Sequence, residues 1–397
     1  MMKGRWTRLA LAAVAVAFVG GACVPEALTP PPKPAPYTGG TNPDLAPQAG
    51  LAAYTGPGPY AAGVTTVEIE PGRQAEVWYP AAPSSAVGKT HDTYFIRQFL
   101  APLLQFLLPA DVNPPFETDA FRDLPVSGDG PFPVVLFSHG ASSFRLQSTF
   151  LTTHLAQWGF VVVSPDYFER GLQGLLGDAP AGARPDTQVA DFAITKVRSM
   201  STSPGPFQGF AETNRFFPIG HSAGGGTSLA LLARPDVSFA IPMAAGVAPT
   251  LRAVPAVLSD TSKGVMWMGG QNDNVAALAN VQAGFDYTAG PDSLVVIPGA
   301  GHNNAFTDIC EIARAQGGIV TLAQNAGLPL PDLVVTLGRD GCTSPPSYEG
   351  PQVWPITRHF VTAALRYAAG LDAQPVGLGS QVVSQFSPAP ATYSHRP

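Results

Sequence analysis

From residue 131 onward the chain alternates between short runs that are apolar without a break and longer stretches with helical spacing. The runs are "PFPVVLFSHG", "FVVVSPDY", "RFFPIGHS", "VSFAIPMAAG", "GVMWMGG" and "DSLVVIPG". A strand apolar on both sides has no face for water, so it belongs in a sheet covered on both faces, the usual setting of parallel strands. The intervening stretches, among them "QSTFLTTHLAQWG", "DTQVADFAITKVRSM", "GGTSLALLAR" and "VWPITRHFVTAALRYAAGL", supply the covering helices. The expected architecture is α/β, with a mostly parallel central sheet and helices on both sides. A chain of 397 residues, 45% of them hydrophobic and only 13% charged, can fill such a core.

The flanks read differently. Residues 1–22 place Lys3, Arg5 and Arg8 before "LALAAVAVAFV" and the small residues "GGA". That is the order of a secretory signal, and the apolar run falls short of the roughly 20 residues a membrane span requires. Residues 23–62, rich in Pro, Ala and Gly, are expected to form an extended tether. The folded domain is expected over 63–371, opening with "VTTVEIE" and "QAEVWYP" as paired strands. Residues 88–130 carry the dense apolar helical pattern "YFIRQFLAPLLQFLLPADV" broken by prolines, which fits a core helix, a lid or a surface for a greasy substrate. Residues 372–397 are expected to be a loose tail. Of the three cysteines, Cys310 and Cys342 lie inside the folded region and can pair, which leaves Cys23 odd. An exported protein usually pairs its thiols, and lipidation of Cys23 would account for the remaining one. Lipid anchoring and free secretion both stay open. The net charge of −6 and the lack of a basic stripe exclude a general affinity for nucleic acid.

In a parallel sheet, reactive groups collect beyond the carboxyl ends of the strands. At the end of "RFFPIG" stands Gly220-His221-Ser222-Ala223-Gly224, a G-x-S-x-G between strand and helix. The glycines permit a tight turn that projects the Ser222 hydroxyl above the sheet. No Lys-Ser/Thr follows, as a phosphate-binding loop would need. A serine requires a base and an orienting acid. Asp273 follows "GVMWMGG" and His302 follows "LVVIPGAG", so Ser, acid and His come in the chain order expected for such a sheet. Asp166, at an earlier strand end, is the alternative acid. His139 belongs to another turn, and His154 and His359 fall in expected helices. Backbone N–H groups of Ala141 and Ala223 are the expected oxyanion donors. No His pair has metal-ligand spacing, and neither a metal nor an organic cofactor is expected.

The stretches "VWYPA", "FPVVLFSHGASSFR", "LAQWGFVVVSPDY", "GHSAGG", "GGQNDNVA" and "GAGH" resemble α/β-hydrolases of the platelet-activating-factor acetylhydrolase type. They are also similar to bacterial cutinase-like polyester hydrolases, in the dienelactone hydrolase-related group. The resemblance spans about residues 75–305. It implies an α/β-hydrolase fold, an oxyanion turn at Ala141 and an acid loop at Asp273. The polyester enzymes carry an aromatic at the place of Ala141 and usually a Met at that of Ala223. Against compact cutinases, residues 306–350 are a longer excursion that a Cys310–Cys342 disulfide could staple. The reading is an exported serine carboxylic-ester hydrolase, expected to be a monomer, acting on a small-molecule, lipid or polymer ester. A polyester or lipid hydrolase is the nearest alternative, and a catalytically silent surface protein a remote one.

Overall fold

The computed structural model describes residues 52–109, 113–176, 183–249, 255–343, 346–388 and 390–396. The signal-like run, Cys23 and most of the expected tether lie outside the described residues. In chain order the strands begin with β1 (Ala61–Glu70), β2 (Arg73–Ala81), β3 (Thr93–Phe95), β4 (Pro115–Glu117), β5 (Ala120–Arg122) and β6 (Phe132–Ser138). They continue with β7 (Val161–Pro165), β8 (Ala211–His221), β9 (Phe239–Met243), β10 (Gly264–Gly270), β11 (Asp292–Ile297) and β12 (Thr392–Arg396). The helices of the described residues include α1 (Pro83–Ala86), α2 (Thr149–Gln157), α3 (Leu172–Leu175), α4 (Asp186–Thr202), α5 (Ala223–Leu231), α6 (Leu278–Tyr287), α7 (Ile319–Asn325), α8 (Asp332–Arg339) and α9 (Gly350–Ala369). The main sheet runs β12-β11-β10-β9-β8-β6-β7-β2-β1-β5. From β7 to β11 every pairing is parallel, whereas β2 pairs antiparallel to β7 and β12 antiparallel to β11.

The unbroken hydrophobicity of the central strands follows from what lies on either side. On β6, Val135 and Phe137 face one buried cluster while Val134 and Leu136 face another. The first face is covered by α2 (Thr149–Gln157) and α9 (Gly350–Ala369), through residues such as Leu155 and Phe360. The second is covered by α4 (Asp186–Thr202) and α6 (Leu278–Tyr287), through Val197 and Phe285. A side chain of this kind contributes about 1.5–3 kcal/mol when fully buried, so a strand sandwiched by two helical layers is favoured at every position.

Three expectations change at the margins. The apolar pattern around Phe95–Leu108 does not form one helix. It yields β3 and two 3₁₀ turns, Ile96–Phe99 and Pro102–Leu107. Pro102 lacks an N–H and forces Ala101 out of the α region, to φ −51° and ψ 138°, so no helix can run through. The expected loose tail returns to the sheet as β12, held where the Arg396 guanidinium meets the Asp292 carboxylate at 2.5 Å. At the other end, the domain begins before residue 63. Tyr54 is fully buried, edge-on to Trp158 with its hydroxyl donating to Asp372. Among the described residues no helix is long and apolar enough to cross a membrane.

Candidate active site

Ser222 links β8 to α5 (Ala223–Leu231) with φ 56° and ψ −121°. Such a conformation costs a non-glycine residue on the order of 1–3 kcal/mol, and the surroundings impose it. The Ser222 N–H donates to the Met243 carbonyl at 2.8 Å. A Cβ on Gly220 would come within 2.3 Å of the Gly224 carbonyl oxygen, and one on Gly224 within 1.9 Å of the Ser138 carbonyl oxygen. Glycine is therefore required at both positions, because strand β6 and the first turn of α5 leave no room for a side chain.

Asp273 and His302 project from the turns after β10 and β11. His302 Nδ1 lies 2.9 Å from Asp273 Oδ2, and both residues are buried. The second carboxylate oxygen, Oδ1, accepts the N–H groups of Val275 and Ala276 at 2.8 and 2.7 Å. A carboxylate only accepts, so Nδ1 carries the imidazole proton and Nε2 is left as the basic nitrogen. His302 and Ser222 line the same pocket. Asp166 is committed elsewhere, bonded to the Arg145 guanidinium at 2.6 Å and to the Arg145 N–H.

Ala141 lies in the turn after β6 and Ala223 opens α5. Among the described residues neither N–H has a protein partner. The flanking N–H groups are taken: that of Gly140 by Gln147 Oε1 at 2.7 Å and that of Ser142 by the Arg170 carbonyl at 2.7 Å. Ala141 lines the pocket together with Ser222, and Ala223 follows Ser222 directly in the chain.

Gln147, His221 and Asp340 support the site through contacts that no motif in the sequence announces. Because Gln147 Oε1 is used by Gly140, its amide nitrogen must be the atom 2.9 Å from His221 Nδ1. His221 therefore carries its proton on Nε2 and donates to the His302 carbonyl at 2.8 Å. One relay so joins the turns after β6, β8 and β11. Asp340 follows α8 (Asp332–Arg339) in the 306–350 excursion. Its Oδ1 accepts the His302 N–H at 2.7 Å, and its Oδ2 accepts the Asn274 side-chain amide at 2.9 Å. Two residues further on, Cys342 is disulfide-bonded to Cys310. No local pattern marks Gln147 or Asp340 in sequence, since each acts across a long chain separation. Asp340→Ala removes the acceptor of the His302 N–H itself, and kcat is expected to fall about tenfold to a hundredfold with KM little changed. Steady-state kinetics with Asp340→Asn alongside checks this, the amide oxygen restoring most of the loss.

Four other histidines are buried without charge. Burial holds His139 at about 3 and His359 at about 4, and holds His154 and His221 well below the ordinary imidazole value. In the unfolded chain they protonate near about 6.5. Unfolding therefore takes up protons, and stability falls as pH drops from about 6.5 toward 4. Burial raises the carboxyls of Asp308 (to about 7), Asp92 and Asp292, which work in the opposite sense, but these are three groups against four. Thermal melts should show Tm falling steadily through this window. His154→Leu should flatten the slope by one proton, about 1.4 kcal/mol per pH unit.

The pocket above Ser222 encloses about 800 Å³ of empty space, its mouth included. Its walls come largely from the two segments outside the regular strand–helix alternation. Ile96, Leu100 and Leu108 belong to the 88–130 segment, and Ile309, Leu328 and Val334 to the 306–350 excursion. Among the described residues no group of three or more His, Cys, Asp or Glu side chains could hold a metal ion.

The chain matches no family model, and no curated protein matches it in sequence. In three dimensions it is similar to a ferulic acid esterase from Streptomyces cinnamoneus, with a TM-score of 0.51. The two are 17% identical, over 78% of this chain and 89% of that one. At this identity the likeness establishes shared architecture. The chain has an α/β fold, a mostly parallel central sheet with helices on both faces.

Proposed function

We propose that the protein is an exported serine carboxylic-ester hydrolase. The observation that carries the reading is the strained Ser222 turn sharing one pocket with a buried Asp273–His302 pair. His302 Nε2 takes the Ser222 proton as Oγ bonds to the ester carbonyl carbon, and the N–H groups of Ala141 and Ala223 hold the resulting oxyanion. The carbon–oxygen bond to the alcohol then breaks, with the proton passing from His302 to the leaving oxygen. Water repeats the sequence on the acyl-enzyme and releases the acid. Asp273 orients the imidazole and stabilises its charged form. No metal or organic cofactor enters these steps. Export is supported by the charged, apolar and small-residue order of the first 22 residues, together with the Cys310–Cys342 disulfide. Whether Cys23 adds a lipid anchor is decided by mass spectrometry of the mature protein.

Labelling with a fluorophosphonate, followed by peptide mapping, tests the assignment. A single adduct on Ser222 is expected, and a folded protein that stays unlabelled would overturn it in favour of a silent surface protein. A second reading, hydrolysis of insoluble polyester or lipid, is favoured by Leu103 and Phe106. These are 85% and 71% exposed on the 3₁₀ turn beside pocket residues Leu100 and Leu108. Release of soluble acid from a polyester film or a lipid emulsion distinguishes it from action on dissolved esters alone.

A further inference from the structure

We infer that the pocket is built for the acyl part of an ester with a flexible aliphatic chain, an inference that rests on the ester-hydrolase reading of Ser222. The chemistry of the walls is the basis. Among the described residues lining the pocket there is no Asp, Glu, Lys or Arg, and Phe144 is the single hydrocarbon aromatic. Phe144 is not free to clamp a planar ring on both faces, since it is stacked on Phe99 with centroids 4.3 Å apart. The polar groups of the pocket, Ser142, Ser143, Gln147 and Asn303 with the two histidines, come from the turns that carry or adjoin the catalytic set. The two excursions contribute only aliphatic side chains and Gly338. A phenol, a phosphate or a second carboxylate placed among them would lose its hydration without gaining a partner. An alkyl chain loses nothing there.

The order of bond breaking assigns this pocket to the acyl half. The alcohol leaves first and must reach solvent, and water must take its place beside His302. The acyl group stays bonded to Ser222 throughout and needs no exit between the two steps. A pocket closed in by two excursions, one stapled by Cys310–Cys342, suits the part that remains.

The test uses p-nitrophenyl acetate, butyrate, hexanoate, octanoate, decanoate and dodecanoate, with p-nitrophenyl benzoate and methyl ferulate as aromatic comparators. On the wild-type chain kcat/KM should rise about threefold to fourfold per methylene, the equivalent of burying each CH₂, to a maximum beyond butyrate. Both aromatic esters should fall below octanoate. Val334→Trp and Leu100→Trp, one in each excursion, should each move the maximum toward shorter chains. A flat series, a maximum at acetate or a preference for the aromatic esters would overturn the inference, as would tryptophan variants that keep the wild-type optimum. Labelling of each variant by a fluorophosphonate with a short alkyl group verifies that it is folded. If instead no ester is cleaved and Ser222 is not labelled in the wild-type chain, it is the hydrolase reading that fails.

Discussion

Ser222→Ala is expected to lower kcat/KM on a p-nitrophenyl ester by about 10⁴-fold or more. The variant keeps the β8–α5 turn, because alanine fits wherever the serine Cβ fits and the tight spaces belong to Gly220 and Gly224. Its melting temperature should therefore stay close to that of the parent. In the proposed mechanism the residual rate reports what the Ala141 and Ala223 N–H groups achieve when water, not Oγ, attacks a bound ester. Kinetics on purified protein, with the melt measured on the same sample, separates loss of the nucleophile from loss of the fold. A folded Ser222→Ala protein that retains activity would remove Ser222 from the chemistry.

Asp273→Asn should have the second largest effect, a fall in kcat of about 10³–10⁴-fold. The reason lies in the local hydrogen bonds. Val275 and Ala276 N–H groups donate to Oδ1, so an asparagine must keep its oxygen on that side and turn its NH₂ toward His302 Nδ1. A donor facing Nδ1 moves the imidazole proton to Nε2, where a base is needed. Nothing in the pocket walls changes, so KM should hold while kcat falls. A variant with unchanged kcat would show that another group orients His302.

The central sheet was legible because its strands are apolar on both faces, a demand that only a doubly covered sheet makes. Ser222, Asp273 and His302 were legible for a related reason, each standing just past the end of such a strand. Position relative to the sheet is a one-dimensional property and survives in sequence. Which of Asp166 and Asp273 meets His302 depends on what else each carboxylate touches, and only the three-dimensional structure shows Asp273 beside His302 Nδ1 and Arg145 on Asp166. Gln147 and Asp340 were not legible at all. They are polar residues outside any periodic pattern, and their partners lie far along the chain. The Phe95–Leu108 pattern fits a core helix, a lid or a greasy surface equally well in sequence; Pro102 excludes the continuous helix, and Ile96, Leu100 and Leu108 join the pocket wall. β12 escaped notice because its five residues are mostly polar, as suits an edge strand with one exposed side.

The burial of Tyr54 also fixes a direction. Helix α2 begins at the carboxyl end of β6 and runs back along the sheet to Trp158, so the Tyr54–Trp158 contact lies at the amino ends of the parallel strands. The Tyr60 N–H bonding to the Gln157 carbonyl marks the same place. Ser222, Asp273 and His302 stand at the opposite end. The chain that leads into residue 52 therefore joins the domain away from the strand ends that carry these three residues.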